Sequence, residues 1–121
     1  MARILIVDDS PTDVQNVRNI LEKAGHMVTE AGNAQDVILR VKQEKPDCVV
    51  MDVVMPGING FQATRVLSKD PETQKIPVIV VSTKNQETDR VWALRQGARD
   101  YLVKPVKPDE LLHKINVALG N

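Results

Sequence analysis

Along the chain, short apolar runs alternate with longer stretches in which apolar residues recur every three or four positions. The runs are Ile4-Leu5-Ile6-Val7, Cys48-Val49-Val50-Met51, Val78-Ile79-Val80-Val81 and the shorter Tyr101-Leu102-Val103. Uninterrupted, largely β-branched runs of this kind suit central strands of a parallel sheet, which are buried on both faces. His26 to Ala31 alternates apolar and polar residues instead, the pattern of a strand nearer the sheet edge.

Five helices are expected between these runs. The first opens at Ser10-Pro11, a cap followed by proline at the first helical position, and closes at Gly25; Val14, Val17, Leu21 and Ala24 fall on one face. The second follows Asn33, turns Val37, Ile38 and Val41 inward and ends before Pro46. The third opens near Asn59-Gly60 and carries Phe61, Thr64 and Leu67. The fourth runs from Gln86 to Gln96, closed by Gly97. The last starts at Pro108-Asp109-Glu110, where acids favour the positive helix end, and buries Leu111, Leu112, Ile115 and Leu119. Strict β-α alternation, five times over, implies a parallel sheet with right-handed crossovers and helices on both faces. Alternation alone does not fix the strand order. The expected fold class is α/β, a flavodoxin-like doubly wound five-stranded parallel sheet of order 2-1-3-4-5 with five helices.

Composition narrows the function classes. A chain of 121 residues suits one domain, 1–121, with no output domain expected. Sixteen basic and sixteen acidic residues cancel, so no global field recruits nucleic acid or an anionic membrane. The lone Cys48 excludes an intramolecular disulfide. The N-terminus lacks the features of a secretory signal, and no apolar run approaches the roughly 20 residues that span a bilayer. A cytoplasmic domain with no membrane insertion is the expectation, and a monomer.

In a sheet of this class, ligands bind at the carboxyl ends of the strands, beside the switch point. The first strand ends in Asp8-Asp9, the third in Asp52, the fourth in Ser82-Thr83 and the fifth in Lys104-Pro105. Three carboxylates so close repel one another unless a cation neutralises them. An oxygen-only set of this kind suits Mg²⁺, which takes a few carboxylates and keeps several waters.

Asp8-Asp9, Asp52, Met55-Pro56-Gly57, Ser82 and Lys104-Pro105 together resemble, in order and across the whole chain, the signature of bacterial response-regulator receiver domains. That resemblance implies the following roles. Asp52 is the nucleophile that accepts a phosphoryl group from a phosphohistidine of a histidine kinase. Asp8, Asp9, Asp52 and the backbone carbonyl of Val54 hold Mg²⁺, with Asp9 the more direct side-chain ligand and Asp8 acting partly through water. Ser82 donates to one phosphoryl oxygen and Lys104 neutralises another. Tyr101 matches the aromatic switch position that turns inward when Ser82 is drawn to the phosphoryl group. Output then passes to a downstream protein through the face of the fourth helix, fifth strand and fifth helix. Such a protein is not an enzyme beyond catalysing its own phosphorylation and dephosphorylation. The Lys104-Pro105 bond resembles the family's cis peptide, and Met55-Pro56-Gly57 reads as a tight turn. The segments MARILIVDDSPT, MPGINGFQATR and QETDRVWALRQGARDYLVKP are similar to stand-alone receivers of the chemosensory systems that govern type IV pilus twitching motility.

The chemistry supports these roles independently. A carboxylate attacking phosphorus must overcome repulsion from the phosphoryl oxygens, so cations and positioning do the catalysis. A phosphate sink that drains a shared kinase uses the same residues. A haloacid-dehalogenase-type phosphatase needs a second Asp two positions after the nucleophile, where Val54 stands. A flavin binder needs a phosphate cradle in the first loop, which here carries three carboxylates. His26 and His113 lack companions at metal-ligand spacing and read as surface residues. Trp92 reads as a packing residue of the fourth helix.

Overall fold

The computed structural model describes residues 1–54 and 59–120, the Ala34 side chain excepted. The elements are β1 (Arg3–Val7), α1 (Pro11–Lys23), β2 (Met27–Ala31), α2 (Ala34–Glu44), β3 (Cys48–Met51), α3 (Gly60–Lys69), β4 (Val78–Ser82), α4 (Glu87–Arg95), β5 (Asp100–Val103) and α5 (Pro108–Ala118). All strand pairs are parallel and the order is β2-β1-β3-β4-β5, the flavodoxin-like order. The expected Met55-Pro56-Gly57 turn lies outside the described residues.

Successive side chains of a strand point to opposite faces, and the two cores divide on that parity. Leu5, Val7, Val49, Met51, Val78, Val80 and Tyr101 pack on the α2–α3–α4 side. Ile4, Ile6, Cys48, Val50, Ile79, Val81 and Leu102 pack beneath α1 and α5. The apolar runs are therefore continuous because both faces are covered. β2 lies at the edge as expected, but of its five residues only Ala31 is buried and Met27 is exposed, so its burial does not alternate as its sequence pattern implied.

The helix boundaries follow local chemistry. The Ser10 hydroxyl accepts from the Asp13 N–H at 3.4 Å and Pro11 opens α1. Gly25, at φ +93°, ends it. Asn33 caps α2 through the Asp36 N–H at 3.0 Å, and Asn59 caps α3 through the Gln62 N–H at 2.9 Å. Gly97, at φ +107°, sits where a Cβ would fall 2.4 Å from Ser68 Cβ.

Three expectations need correction. Ala24 is exposed, because α1 has ended at Lys23 and Ala24 is already its C-cap. Trp92 is 50 % exposed rather than a packing residue. The buried positions of α4 and its C-cap are Ala93 and Gln96, and the indole lies on the flank beside Phe61 and Arg65. His26 is only partly exposed, and its Nδ1 accepts the Ala2 N–H at 3.2 Å. Burial and the neighbouring N-terminal ammonium hold its pKa below the ordinary histidine range.

Gly60 joins the fold to the functional edge. A Cβ there would meet the Asp52 carbonyl oxygen at 2.4 Å and Val53 Cα at 2.6 Å, both backbone atoms that cannot yield cheaply. In an open helix Gly→Ala gains up to about 1 kcal/mol. Here overpacking against backbone costs more, so Gly60→Ala is expected to destabilise by about 2 kcal/mol and lower the melting temperature by roughly 10 °C, measured by thermal denaturation.

Candidate functional site

The register brings the strand-end residues together. Val7 pairs with Met51, so Asp8 and Asp52 are neighbours one step beyond the ladder. The Asp52 N–H donates to the Val7 carbonyl at 2.9 Å and the Asp8 N–H to the Ala31 carbonyl at 3.2 Å. Ser82 pairs with Val103, and the Lys104 N–H donates to the Ser82 carbonyl at 2.8 Å. The pleat sorts these residues by face. Asp8, Asp52 and Lys104 continue the parity of Ile6, Val50 and Leu102, toward α1. Ser82 continues the parity of Val80 and Tyr101, toward α4.

On the α1 side, the Lys104 ammonium donates to Asp8 Oδ2 at 2.8 Å, Asp13 Oδ2 at 2.8 Å and Asp52 Oδ2 at 2.9 Å. Asp8 Oδ1 accepts the Ser10 N–H at 2.9 Å and Asp52 Oδ1 accepts the Val54 N–H at 3.0 Å. Asp8 and Asp52 are buried while Asp9 is exposed. One carboxylate oxygen from each of Asp8, Asp9 and Asp52 lies within 4.8 Å of the others. The Lys104-Pro105 peptide is cis, as the resemblance implied.

On the α4 side, the Lys84 N–H donates to the Ser82 hydroxyl at 3.2 Å, and the Tyr101 hydroxyl donates to the Lys84 carbonyl at 2.8 Å. Tyr101 is thus already packed inward in this structure, and burial raises its phenol pKa. Val54 and Lys84, two positions after Asp52 and Ser82, are exposed. All the residues the sequence marked for chemistry, namely Asp8, Asp9, Asp52, Val54, Ser82, Tyr101 and Lys104, stand at this edge. Strand-end reasoning missed Asp13, which belongs to the first turn of α1. The signal available was an acid three residues after the Ser10 cap.

Electrostatics explains the arrangement. Burial raises the Asp8 pKa, and its contacts with Lys104 and the Ser10 N–H only partly offset that. Burial works to lower the Lys104 pKa, but the hydrogen bonds it donates to Asp13, Asp8 and Asp52 outweigh it and hold the ammonium above the ordinary lysine range. Lys104 therefore keeps its stabilising contribution below about pH 10.4 and loses it only as pH rises through the higher folded value. Asp8 acts in the opposite direction. Folded, it takes its proton at a higher pH than unfolded, so acidification through that range favours the native state.

Among the described residues, Asp9 makes no ion pair with the ammonium that serves its neighbours, yet it faces two other carboxylates. Asp9→Asn is therefore expected to stabilise the metal-free protein by about 0.5–1 kcal/mol, seen as a rise of roughly 2–4 °C in melting temperature. Lys104→Met leaves buried carboxylates without their cation and should cost about 3 kcal/mol in the same measurement.

The response regulator receiver domain matches residues 4–116. Protein PilH of Pseudomonas aeruginosa is 62% identical over 120 residues, covering 99% of each chain. A putative response regulator from Chloroflexus aurantiacus superposes with a TM-score of 0.95 at 28% identity, covering 99% of this chain and 98% of that one. The receiver domain of a sensor histidine kinase from Pseudomonas aeruginosa, solved with a magnesium ion coordinated in its active-site cleft, superposes at 0.91 and 27% identity, covering 99% and 98%. With this sheet order, this carboxyl-edge cluster and a match across nearly its whole length, the chain belongs to the response-regulator receiver family.

Proposed function

We propose that this chain is a phosphorylation-dependent signalling switch in which Asp52 accepts a phosphoryl group from a phosphohistidine of a chemosensory-type histidine kinase. One observation carries the reading: a buried carboxylate, Asp52, shares an edge with two further acids, a lysine ammonium and a serine hydroxyl. In the transfer, an Asp52 oxygen bonds to phosphorus as the P–N bond breaks; the bonding pair returns to the ring nitrogen, and the kinase histidine leaves as neutral imidazole. Asp52 becomes an acyl phosphate, a mixed anhydride that water can cleave.

The donor set fits Mg²⁺: oxygen atoms only, with several carboxylates converging. Asp9, Asp52 and the Val54 carbonyl would hold the ion directly. Asp8 would act partly through water, in keeping with its burial and its existing bonds to Lys104 and the Ser10 N–H. Bound there, the ion supplies positive charge that offsets repulsion between the acceptor and the phosphoryl oxygens. Lys104 neutralises one phosphoryl oxygen and the Ser82 hydroxyl donates to another. Drawing Ser82 inward shifts the loop at Lys84, to which Tyr101 is bonded. That couples the site to the surface of α4, β5 and α5, where a downstream protein docks. It is a two-state element biased by a local charge event.

The 62% identity to PilH over 99% of both chains supports a place in a chemosensory pathway, which we take to be that governing type IV pilus twitching motility. Transfer from a panel of autophosphorylated host kinases is the experiment that tests the reading. Labelled phosphate should reach the parent in the presence of Mg²⁺ and should fail to reach Asp52→Asn; equal labelling of the two would refute Asp52 as acceptor.

Switch and phosphate sink differ in how long the phosphate lasts. Val54 and Lys84 stand two positions after Asp52 and Ser82, and both are exposed. Val54 cannot orient water, and Lys84 as an ammonium cannot act as a general base, a role worth about 10²-fold where present. The double change Val54→Asn with Lys84→Glu is expected to speed phosphate loss several-fold, followed as decay of labelled protein in excess Mg²⁺. Decay of the parent within seconds would instead favour the sink.

A further inference from the structure

The Lys104 ammonium has three N–H bonds, and each meets a carboxylate: Asp8 and Asp13 at 2.8 Å and Asp52 at 2.9 Å. Asp8 and Asp52 follow from the strand ends, whereas Asp13 comes from a different element. It is held over the site by the first turn of α1, where its N–H donates to the Ser10 hydroxyl and the helix end favours a negative charge. The surroundings of the three acids differ. The Asp13 side chain is 41% exposed, against 7% for Asp8 and 8% for Asp52.

We propose that Asp13 is a positioning residue that holds Lys104 toward α1 and competes with the incoming phosphoryl group for its ammonium. The inference rests on Asp52 being the phosphoryl acceptor. To meet a phosphoryl oxygen, Lys104 must release one of its three partners. Releasing Asp8 or Asp52 would strand a buried carboxylate, which is costly. Asp13 is the partner that water can take over. It borders a cavity of about 40 Å³ shared with Asn16, Val17, Lys104, Pro105 and Val106. That is room for about one water to replace the lost N–H. Asp13 also adds a negative charge facing the incoming phosphoryl oxygens. Both effects make capture of the group harder, so Asp13 sets a threshold on phosphorylation and offers Lys104 a resting place when the phosphate is lost.

Beryllium fluoride with Mg²⁺, titrated into the full chain and followed by the amide resonances of Ser82 and Lys104, tests this. Asp13→Asn should bind the mimic about three- to tenfold more tightly, the scale of a part-exposed ion pair, and Asp13→Glu should return to the parent affinity. In the parent, the Asp13 carboxyl carbon resonance should move on binding, reporting departure of the ammonium. A parent that takes up no beryllium fluoride would overturn the acceptor reading itself. If the parent binds and Asp13→Asn is unchanged or weaker, the Asp13 proposal alone is overturned. A gain in Asp13→Asn with an unmoved Asp13 carbon in the parent would mean that bulk charge, not competition for Lys104, is responsible, and would equally overturn it.

Discussion

Three carboxylates contact one ammonium at the carboxyl edge of the sheet, and a fourth, Asp9, stands within 4.8 Å of two of them. Like charges at such separations in a partly buried site repel by an amount that bulk water would erase and the protein does not. Lys104 makes the cluster tolerable, with its ammonium nearly out of solvent and all three donors engaged. The remaining negative charge is what gives the edge an appetite for a divalent cation. A fully neutralised cluster would be more stable and chemically idle. The fold thus carries an electrostatic cost where its chemistry is to happen, and spends the rest of the molecule on holding the strands that impose it.

What imposes it is the register of a parallel sheet. Pairing Val7 with Met51 leaves the backbone no choice but to bring Asp8 beside Asp52. Strand pleating then divides the site. Asp8, Asp52 and Lys104 face α1, where Asp13 waits, while Ser82 and Tyr101 face α4. One half gathers the charged groups and the other the hydroxyls. On the α4 side the Lys84 backbone links the two residues, its N–H meeting the Ser82 hydroxyl and its carbonyl the Tyr101 hydroxyl.

α4 is lightly anchored. Of its nine residues only Ala93 is buried, and Val91 and Trp92 lie on its exposed surface. Contrast α1, anchored by Val14, Val17 and Leu21. Elements with few buried apolar contacts are drawn from the low-stability end of a protein, and there a small bias can change a conformation.

The sequence by itself determined the fold and most of the site. Runs such as Val78-Ile79-Val80-Val81 can be satisfied only by burial on both faces, and caps such as Ser10-Pro11 and Asn59 act within a turn of themselves, so local pattern suffices. Asp8, Asp9, Asp52, Ser82 and Lys104 were legible because a parallel sheet delivers every strand end to one edge. Alternation left the strand order open, since five βα units can be wound in more than one sequence of neighbours. Trp92 and Asp13 were not legible. Whether an indole is covered depends on how near α3 lets α4 come, and whether Asp13 reaches Lys104 depends on the rotation of α1 about its own axis. Likewise, Tyr101 packs inward through a hydrogen bond to a residue seventeen positions away. Those outcomes belong to contacts between elements distant in the chain, which packing decides and no local pattern encodes.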